Sequence, residues 1–309
     1  MITIYKTGEC GLEVLPEVTK GCWVNVIDPS PNEITWLQEL GLPQEFILYP
    51  LDVDERARVE REDGNILIVV RLPAAEAPTA DVPFTTHAVG IILTGQYLVT
   101  ISKRDNEILR ELAQGRVRDL STAKRNRFIL RLLLYTATKY LSYLREINRT
   151  VEALEDQLQM STRNRELMAL LKYQKSLVYF TTALKSNELM MERLQRSQHF
   201  AAYPDDTDLL EDVLTENQQA IEMTNIASNI LSSMMDAFAS IISNNLNTVM
   251  KFLAAMTIVL TLPVLVASLY GMNVDLPLQE WPYAFEVIIL VSVGLAAIVA
   301  RIFIKRDWM

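Results

Sequence analysis

Apolar and polar positions change their period along this chain. In the first third they alternate in short runs bounded by turn residues, the two-residue period of half-buried strands. Residues 22–27 read as a strand stopped by Asp28-Pro29-Ser30-Pro31, where Ser30 suits a helix cap, Pro31 its first turn and Glu33 the acid three residues on. Residues 59–72 read as a hairpin turned at Asp63-Gly64, and residues 90–101 as another turned near Thr94-Gly95-Gln96. Residues 106–114 read as a helix ended by Gly115, and the Ala- and Pro-rich residues 74–83 as a surface loop.

From residue 121 the period becomes helical. Phe128, Leu132, Tyr135, Lys139 and Ser142 share one side, flanked by Ile129, Leu133, Thr136 and Tyr140, which predicts a helix to about residue 160. Ser161-Thr162-Arg163-Asn164 breaks it, and a second helix to about residue 198 completes a long helical hairpin. Tyr203-Pro204-Asp205-Asp206 is the next break. Residues 208–270 then contain no glycine and a single proline, Pro263. Ile226, Ile230, Met234 and Phe238 recur every fourth residue, followed by Ile242 and Leu246. The expectation is one helix of about 60 residues, roughly 90 Å long. One small domain does not bury such a length. Neighbouring copies of the chain are its natural cover, which implies oligomerisation; the alternative is a long helix packed on its own domain alone.

The most apolar stretches close the chain. Residues 252–274 are 23 consecutive positions without Asp, Glu, Lys, Arg or His, about 34 Å of helix against a hydrocarbon core of about 30 Å. Residues 283–304 form a second stretch, with Glu286 and Arg301 near its ends. Lys251 precedes the first and Lys305 and Arg306 follow the second, whereas the loop between them offers Asp275 and Glu280. The positive-inside bias therefore puts both flanks in the cytoplasm and the loop outside. Trp281, Tyr283 and Trp308 stand near the expected interfaces. A pair of buried core helices is the alternative. Residues 1–27 lack the basic start, apolar run and cleavage site of a signal peptide, so about 250 residues are expected in the cytoplasm of a multi-pass cell-membrane protein.

Composition narrows the function. Half of the 309 residues are apolar beside 22% charged, enough to repay chain ordering, and a net charge of -9 speaks against a nucleic-acid partner. Cys10 and Cys22, with His87 and His199, give no metal, redox or nucleophile–base spacing, so neither an enzyme nor a cofactor is expected. The expected division is an α+β cytoplasmic domain (1–120), a helical hairpin (121–204), the stalk of the long helix (205–251), a first membrane helix (252–272), an outer loop (273–282), a second membrane helix (283–304) and a basic tail (305–309).

Polar residues fall on one face of the long helix. Asn247, Met250, Leu253, Thr257 and Thr261 follow at steps of three or four, with Ser268 farther along near the same side. Such hydroxyls either bond their own backbone and pack on a neighbouring helix, or line a pore. Pro263 removes one backbone donor and introduces a kink.

The helix ends in Tyr270-Gly271-Met272-Asn273. A Gly-Met-Asn tripeptide after the first of two C-terminal membrane segments resembles the signature of the CorA-type magnesium transporter superfamily. Asn247-Thr248-Val249-Met250-Lys251-Phe252-Leu253, Pro263 and Lys305-Arg306-Asp307-Trp308 resemble that family's start of the first membrane helix, intramembrane proline and basic end. The resemblance implies a homopentameric divalent-cation channel in the lipid bilayer, with five first membrane helices around an axial pore. It implies Gly271, Met272 and Asn273 as the outer selectivity motif, with Asn273 meeting the hydrated ion. Asn247 would give a second polar ring, Leu253 or Met250 the constriction beside it, and Asp212 an acidic position that senses intracellular magnesium between subunits. The chain departs from the family pattern in two places. Tyr49 stands where a carboxylate is expected, with Asp52 and Asp54 nearby, and Pro263 precedes Gly271 by seven intervening residues, with Leu265 and Leu269 replacing small residues.

The implied cargo is magnesium, with cobalt or nickel as companions, moved inward and gated by intracellular magnesium. Magnesium dehydrates reluctantly, and a ring of neutral amide oxygens binds it through its waters weakly enough for release. Asp275 and Glu280 would concentrate cations at the mouth. An inside-negative potential supplies about 4.6 kcal/mol per divalent ion per 100 mV, so no nucleotide is required. The acidic group Asp205, Asp206, Asp208, Glu211 and Asp212 reads either as a favourable helix start or as an inter-subunit cation site, and Asp236 and Glu222 lie farther down the stalk. Two other readings stay open: a zinc transporter of the same superfamily, and a membrane-anchored sensor or scaffold that conducts nothing.

Overall fold

The computed structural model describes residues 1–8, 11–160, 164–197, 200, 204–274, 276–277, 281–306 and 308, without the side chains of residues 159, 160 and 164. Cys10, Ser161, Thr162, Arg163, His199, Tyr203, Asp275, Glu280 and Asp307 lie outside the described residues, as does the expected helix end at residue 198. The chain divides into two units, Met1–Met234 and Met235–Met309.

The first unit is built on seven strands: β1 (Ile2–Gly8), β2 (Gly11–Leu15), β3 (Trp23–Ile27), β4 (Arg58–Glu62), β5 (Asn65–Ala75), β6 (Phe84–Leu93) and β7 (Leu98–Ser102). They form one sheet in the order β2-β1-β3-β7-β6-β5-β4. Among the described residues, only β3 and β7 pair in parallel. Side chains alternate between its two faces. Ile66, Ile68, Val70 and Leu72 of β5 join a core with α3 (Glu107–Ala113), α4 (Arg125–Met160), α5 (Asn164–Arg196) and the start of α6 (Pro204–Tyr270). Leu67 and Val69 join another with α1 (Pro31–Glu39) and α2 (Gln44–Leu48). The sheet is thus covered on both faces, and its Val- and Ile-rich strands follow from that burial.

Local chemistry explains several boundaries. The Ser30 hydroxyl accepts from the Glu33 N–H at 3.4 Å while Glu33 accepts from the Ser30 N–H at 2.8 Å, a reciprocal cap at the start of α1. Both expected hairpins are present, β4 to β5 through Asp63-Gly64 and β6 to β7 through Thr94-Gly95-Gln96. The Trp23 indole donates to the Thr100 hydroxyl at 2.8 Å, which donates to Asn25 Oδ1 at 2.9 Å, satisfying polar groups inside the parallel pair. At Gly90 a Cβ would lie 2.1 Å from Pro50 Cγ, so the missing side chain seats the short 3-10 turn Tyr49–Leu51 on the sheet.

Some expectations are corrected. The strands β1 and β2 and the five-residue α2 were not anticipated, because β1 and β2 are only partly covered and lack strong alternation. The loop expected at residues 74–83 is shorter, since β5 runs through Ala75. On α4 the expected Phe128 and Leu132 are buried together with the flanking Ile129, Leu133, Thr136 and Tyr140, Tyr135 and Lys139 are half-buried, and Ser142 is exposed.

The long helix α6 has 67 residues, starting four residues before the expected Asp208. Leu209, Leu210, Val213, Asn217, Ala220, Ile221, Thr224, Ala227 and Leu231 are buried, while Ile226 and Ile230 are 58% and 55% exposed. Phe238, expected in line with these isoleucines, is buried. A four-residue step rotates about 40° around a helix, so Phe238 lies about 120° from Ile226.

The second unit holds the rest of α6 and the helix α7 (Ala284–Lys305). Both helices are long and apolar enough to cross a membrane. Their apolar side chains are largely exposed, unlike those of core helices, and the buried Ala255 and Ser292 are small.

Candidate ion path and acids of the long helix

The C-terminal turn of α6 is closed by two backbone bonds, Gly271 N–H to the Ala267 carbonyl at 3.0 Å and Met272 N–H to the Leu269 carbonyl at 3.3 Å. The Tyr270 hydroxyl donates to the Pro277 carbonyl at 3.3 Å, tying the helix end to the following loop. Met272, Asn273 and Val274 are exposed there. Gly271 does not use a left-handed backbone, and a Cβ at this position would meet the Ala267 carbonyl at 3.4 Å, an ordinary contact. Within one chain, glycine is not sterically demanded.

Asn247, Met250, Leu253, Thr257, Thr261 and Ser268 are all exposed along α6. At about 100° per residue, Met250, Thr257, Thr261 and Ser268 fall within about 40° of one another, with Asn247 and Leu253 on opposite margins of that line. The Thr257 hydroxyl donates to the Leu253 carbonyl at 2.8 Å and the Thr261 hydroxyl to the Thr257 carbonyl at 2.6 Å. Their hydrogens are therefore spent on the helix, while each oxygen keeps acceptor capacity facing outward. Pro263, inside the helix, offers no N–H to the Val259 carbonyl one turn earlier.

In the first unit the acids of α6 separate into two groups. Asp206 is 4% exposed and accepts from Arg127 Nε at 2.9 Å, while Asp205 accepts from Arg127 Nη2 at 3.2 Å. These bonds raise the Arg127 pKa, the Asp206 contact most. Asp208, Glu211 and Asp212 face solvent and hold no ion pair among the described residues. Glu222 accepts from Gln218 Nε2 at 3.3 Å, and Asp236 is exposed in the second unit. The clamping role of Arg127 was not legible in the sequence, because its partners lie 78 and 79 residues away.

Tyr49 also has defined partners. Its hydroxyl donates to Glu45 Oε2 at 2.8 Å, and this bond raises the phenol pKa. The Arg58 guanidinium lies 4.4 Å from the ring centroid and pairs with Glu55 and, through Nε at 2.8 Å, with Glu60. Asp52 accepts from the Asp54 N–H at 3.0 Å. A protein cation thus stands over Tyr49. Among the described residues, no group of three or more His, Cys, Asp or Glu side chains is gathered to hold a metal.

A protein-family model described as "CorA-like Mg2+ transporter protein" matches residues 19–306. The chain is 28% identical over 325 aligned positions to a cobalt/magnesium transport protein CorA of Methanocaldococcus jannaschii, covering 100% of this chain and 99% of that one. It is 20% identical over 298 positions to a protein of the same name from Thermotoga maritima, covering 93% and 83% of the two chains. Its fold matches the complete structure of the CorA magnesium transporter from Methanocaldococcus jannaschii with a TM-score of 0.86 at 24% identity, over 100% of this chain and 99% of that one.

Proposed function

This chain belongs to the family of CorA-like Mg2+ transporter proteins, and from that premise we propose that it carries hydrated magnesium, with cobalt or nickel as companions, inward across a cell membrane. The observation that carries this reading is the exposed Gly271-Met272-Asn273 at the end of a membrane-length helix, held to its loop by Tyr270 and Pro277. Five copies of α6 surround the path. Asn273 amides meet the ion through its waters at the outer mouth, and the Thr257, Thr261 and Ser268 oxygens offer weak acceptors below it. Met250 and Leu253 narrow the inner part, beside an Asn247 ring. Glycine at 271 answers to the close approach of neighbouring copies, since one chain alone leaves room for a methyl group.

Both termini lie in the cytoplasm, supported by Lys251, Arg301, Lys305 and Arg306 on the two flanks. The first unit is the cytoplasmic domain with its stalk, and Asp212, exposed on that stalk, contributes to closure by intracellular magnesium. Ile226 and Ile230 mark where another copy covers the stalk.

The test is flux into liposomes holding the purified chain, comparing magnesium, cobalt, nickel and zinc with and without a pH gradient. Magnesium uptake driven by an inside-negative potential, independent of the pH gradient, is expected. Zinc uptake coupled to protons would replace magnesium by zinc as the cargo, and no flux of any of the four ions would leave a non-conducting sensor or scaffold.

A further inference from the structure

Basic residues of the second unit gather at the end of α7. Arg301, Lys305 and Arg306 lie within six residues there, with Lys251 the other basic residue of the unit. Arg301 and Lys305 border an open groove of about 830 Å³ whose remaining lining is Ala297, Ile298, Ala300 and Ile304. These residues share one face of α7, on which Arg301 and Lys305 stand about one turn apart, Ala297 lies a turn before Arg301, and Ile304 falls between the two cations in sequence. The Trp308 ring stacks on Phe303 at 5.5 Å with 7° between the planes, and the Trp308 N–H donates to the Phe303 carbonyl at 3.0 Å. Trp308 thus packs back onto Phe303, placing an indole at the level of the last turn. Among the described residues, Arg301, Lys305 and Arg306 hold no ion pair.

We propose that this groove binds an anionic phospholipid of the inner leaflet. The phosphate is held between Arg301 and Lys305, one acyl chain lies along Ala300 and Ala297, and the Trp308 indole sits beside the headgroup. Cations at a helix C-terminus also offset the helix dipole. That role needs no open apolar face beside them, and a lipid does. The proposal rests on the membrane-spanning reading of α7.

The experiment uses the full-length chain, purified in detergent, with phosphatidylglycerol or phosphatidylcholine of identical acyl chains added before native mass spectrometry. Wild type retains phosphatidylglycerol in preference. Arg301→Gln or Lys305→Gln lowers that retention about five-fold, and the double variant roughly thirty-fold, while Lys305→Arg keeps it. Unchanged melting and oligomer mass establish that the variants are folded. Equal retention of the two lipids, or no loss in a folded double variant, overturns the site. Flotation with vesicles separates the underlying reading. A chain that floats with both vesicle types yet retains the two lipids equally in native mass spectrometry refutes the lipid site alone, and a chain that floats with neither refutes the membrane-spanning reading and the site with it.

Discussion

The two units treat their apolar side chains in opposite ways. In Met1–Met234 large side chains such as Trp23, Phe128, Tyr140 and Phe180 are wholly buried. In Met235–Met309 Leu290 is 74% and Val264 65% exposed. The first unit draws its stability from its own core, where burial is worth about 1.5–3 kcal/mol for a large apolar side chain. The second leaves most of its apolar surface for a surrounding that is not this chain. Along α6 the one-sided packed face of the first unit gives way to a mostly exposed surface in the second, where Phe238 and Ala255 are buried exceptions. Ile226 and Ile230 stand at that transition, exposed although the opposite side of the same helix is packed.

The contrast breaks most sharply under truncation of one large residue in each unit. Phe128→Ala, removing a ring 5.1 Å from that of Trp23, should cost about 3–5 kcal/mol. Leu290→Ala should change stability in detergent by less than about 0.5 kcal/mol. Thermal melts of the full chain check both, and equal losses would mean that α7 has a core of its own.

The transition region is probed by Ile226→Glu with Ile230→Glu. If copies cover this stripe, the pair of changes removes about 1–2 kcal/mol per isoleucine from each contact between copies. The chain should then stay folded by circular dichroism while its native mass falls below that of a pentamer. A pentamer retained at full occupancy would place the contact elsewhere.

Gly90→Ala sharpens the description of the first unit. The added Cβ meets Pro50 Cγ at 2.1 Å, so β6 or the turn at Tyr49 has to shift, at a cost of about 1–3 kcal/mol. A matching fall in melting temperature is expected, whereas Gly95→Ala, with open space at its Cβ position, should fall less.

The smallest effect concerns pH. Burial pushes the Glu107 carboxyl up, but hydrogen bonds from Lys139 Nζ at 2.8 Å and Tyr143 Oη at 2.5 Å outweigh it, and its pKa is lowered. A carboxylate with a depressed folded pKa contributes stability that is present above the ordinary value near 4.3 and is lost as pH falls through the folded value. Acid melts of wild type should therefore steepen below about pH 4.5, and Glu107→Gln should flatten that slope while leaving the second unit unaffected.

Local chemistry made much of the fold legible from sequence. Ser30 and Glu33, Asp63-Gly64 and Gly115 each carry their structural instruction within a few residues, and the absence of glycine from α6 announced its length. The strand order β2-β1-β3-β7-β6-β5-β4 was not legible, because the parallel pairing of Trp23–Ile27 with Leu98–Ser102 joins segments about 75 residues apart. The four-residue row from Ile226 to Phe238 was read as one stripe, yet the 3.6-residue period turns its last member inward. Of the candidate site, the tripeptide and the polar line on α6 were legible as positions. The Arg127 clamp on Asp206 and the Arg58 cation over Tyr49 were not, since each depends on elements that meet only after folding.

The most direct measurement is magnesium flux and native mass taken on one preparation of Asn273→Ala. Asn273 is exposed beyond the closed end of α6 and takes no part in the Gly271 and Met272 backbone bonds, so its truncation leaves the helix able to form. The expected result is an assembled protein of wild-type mass whose magnesium flux falls at least about ten-fold, the loss of roughly 1.4 kcal/mol of ion stabilisation at the mouth. An assembled Asn273→Ala protein with unchanged magnesium flux, and unchanged competition by cobalt and nickel, would contradict an ion path through this motif.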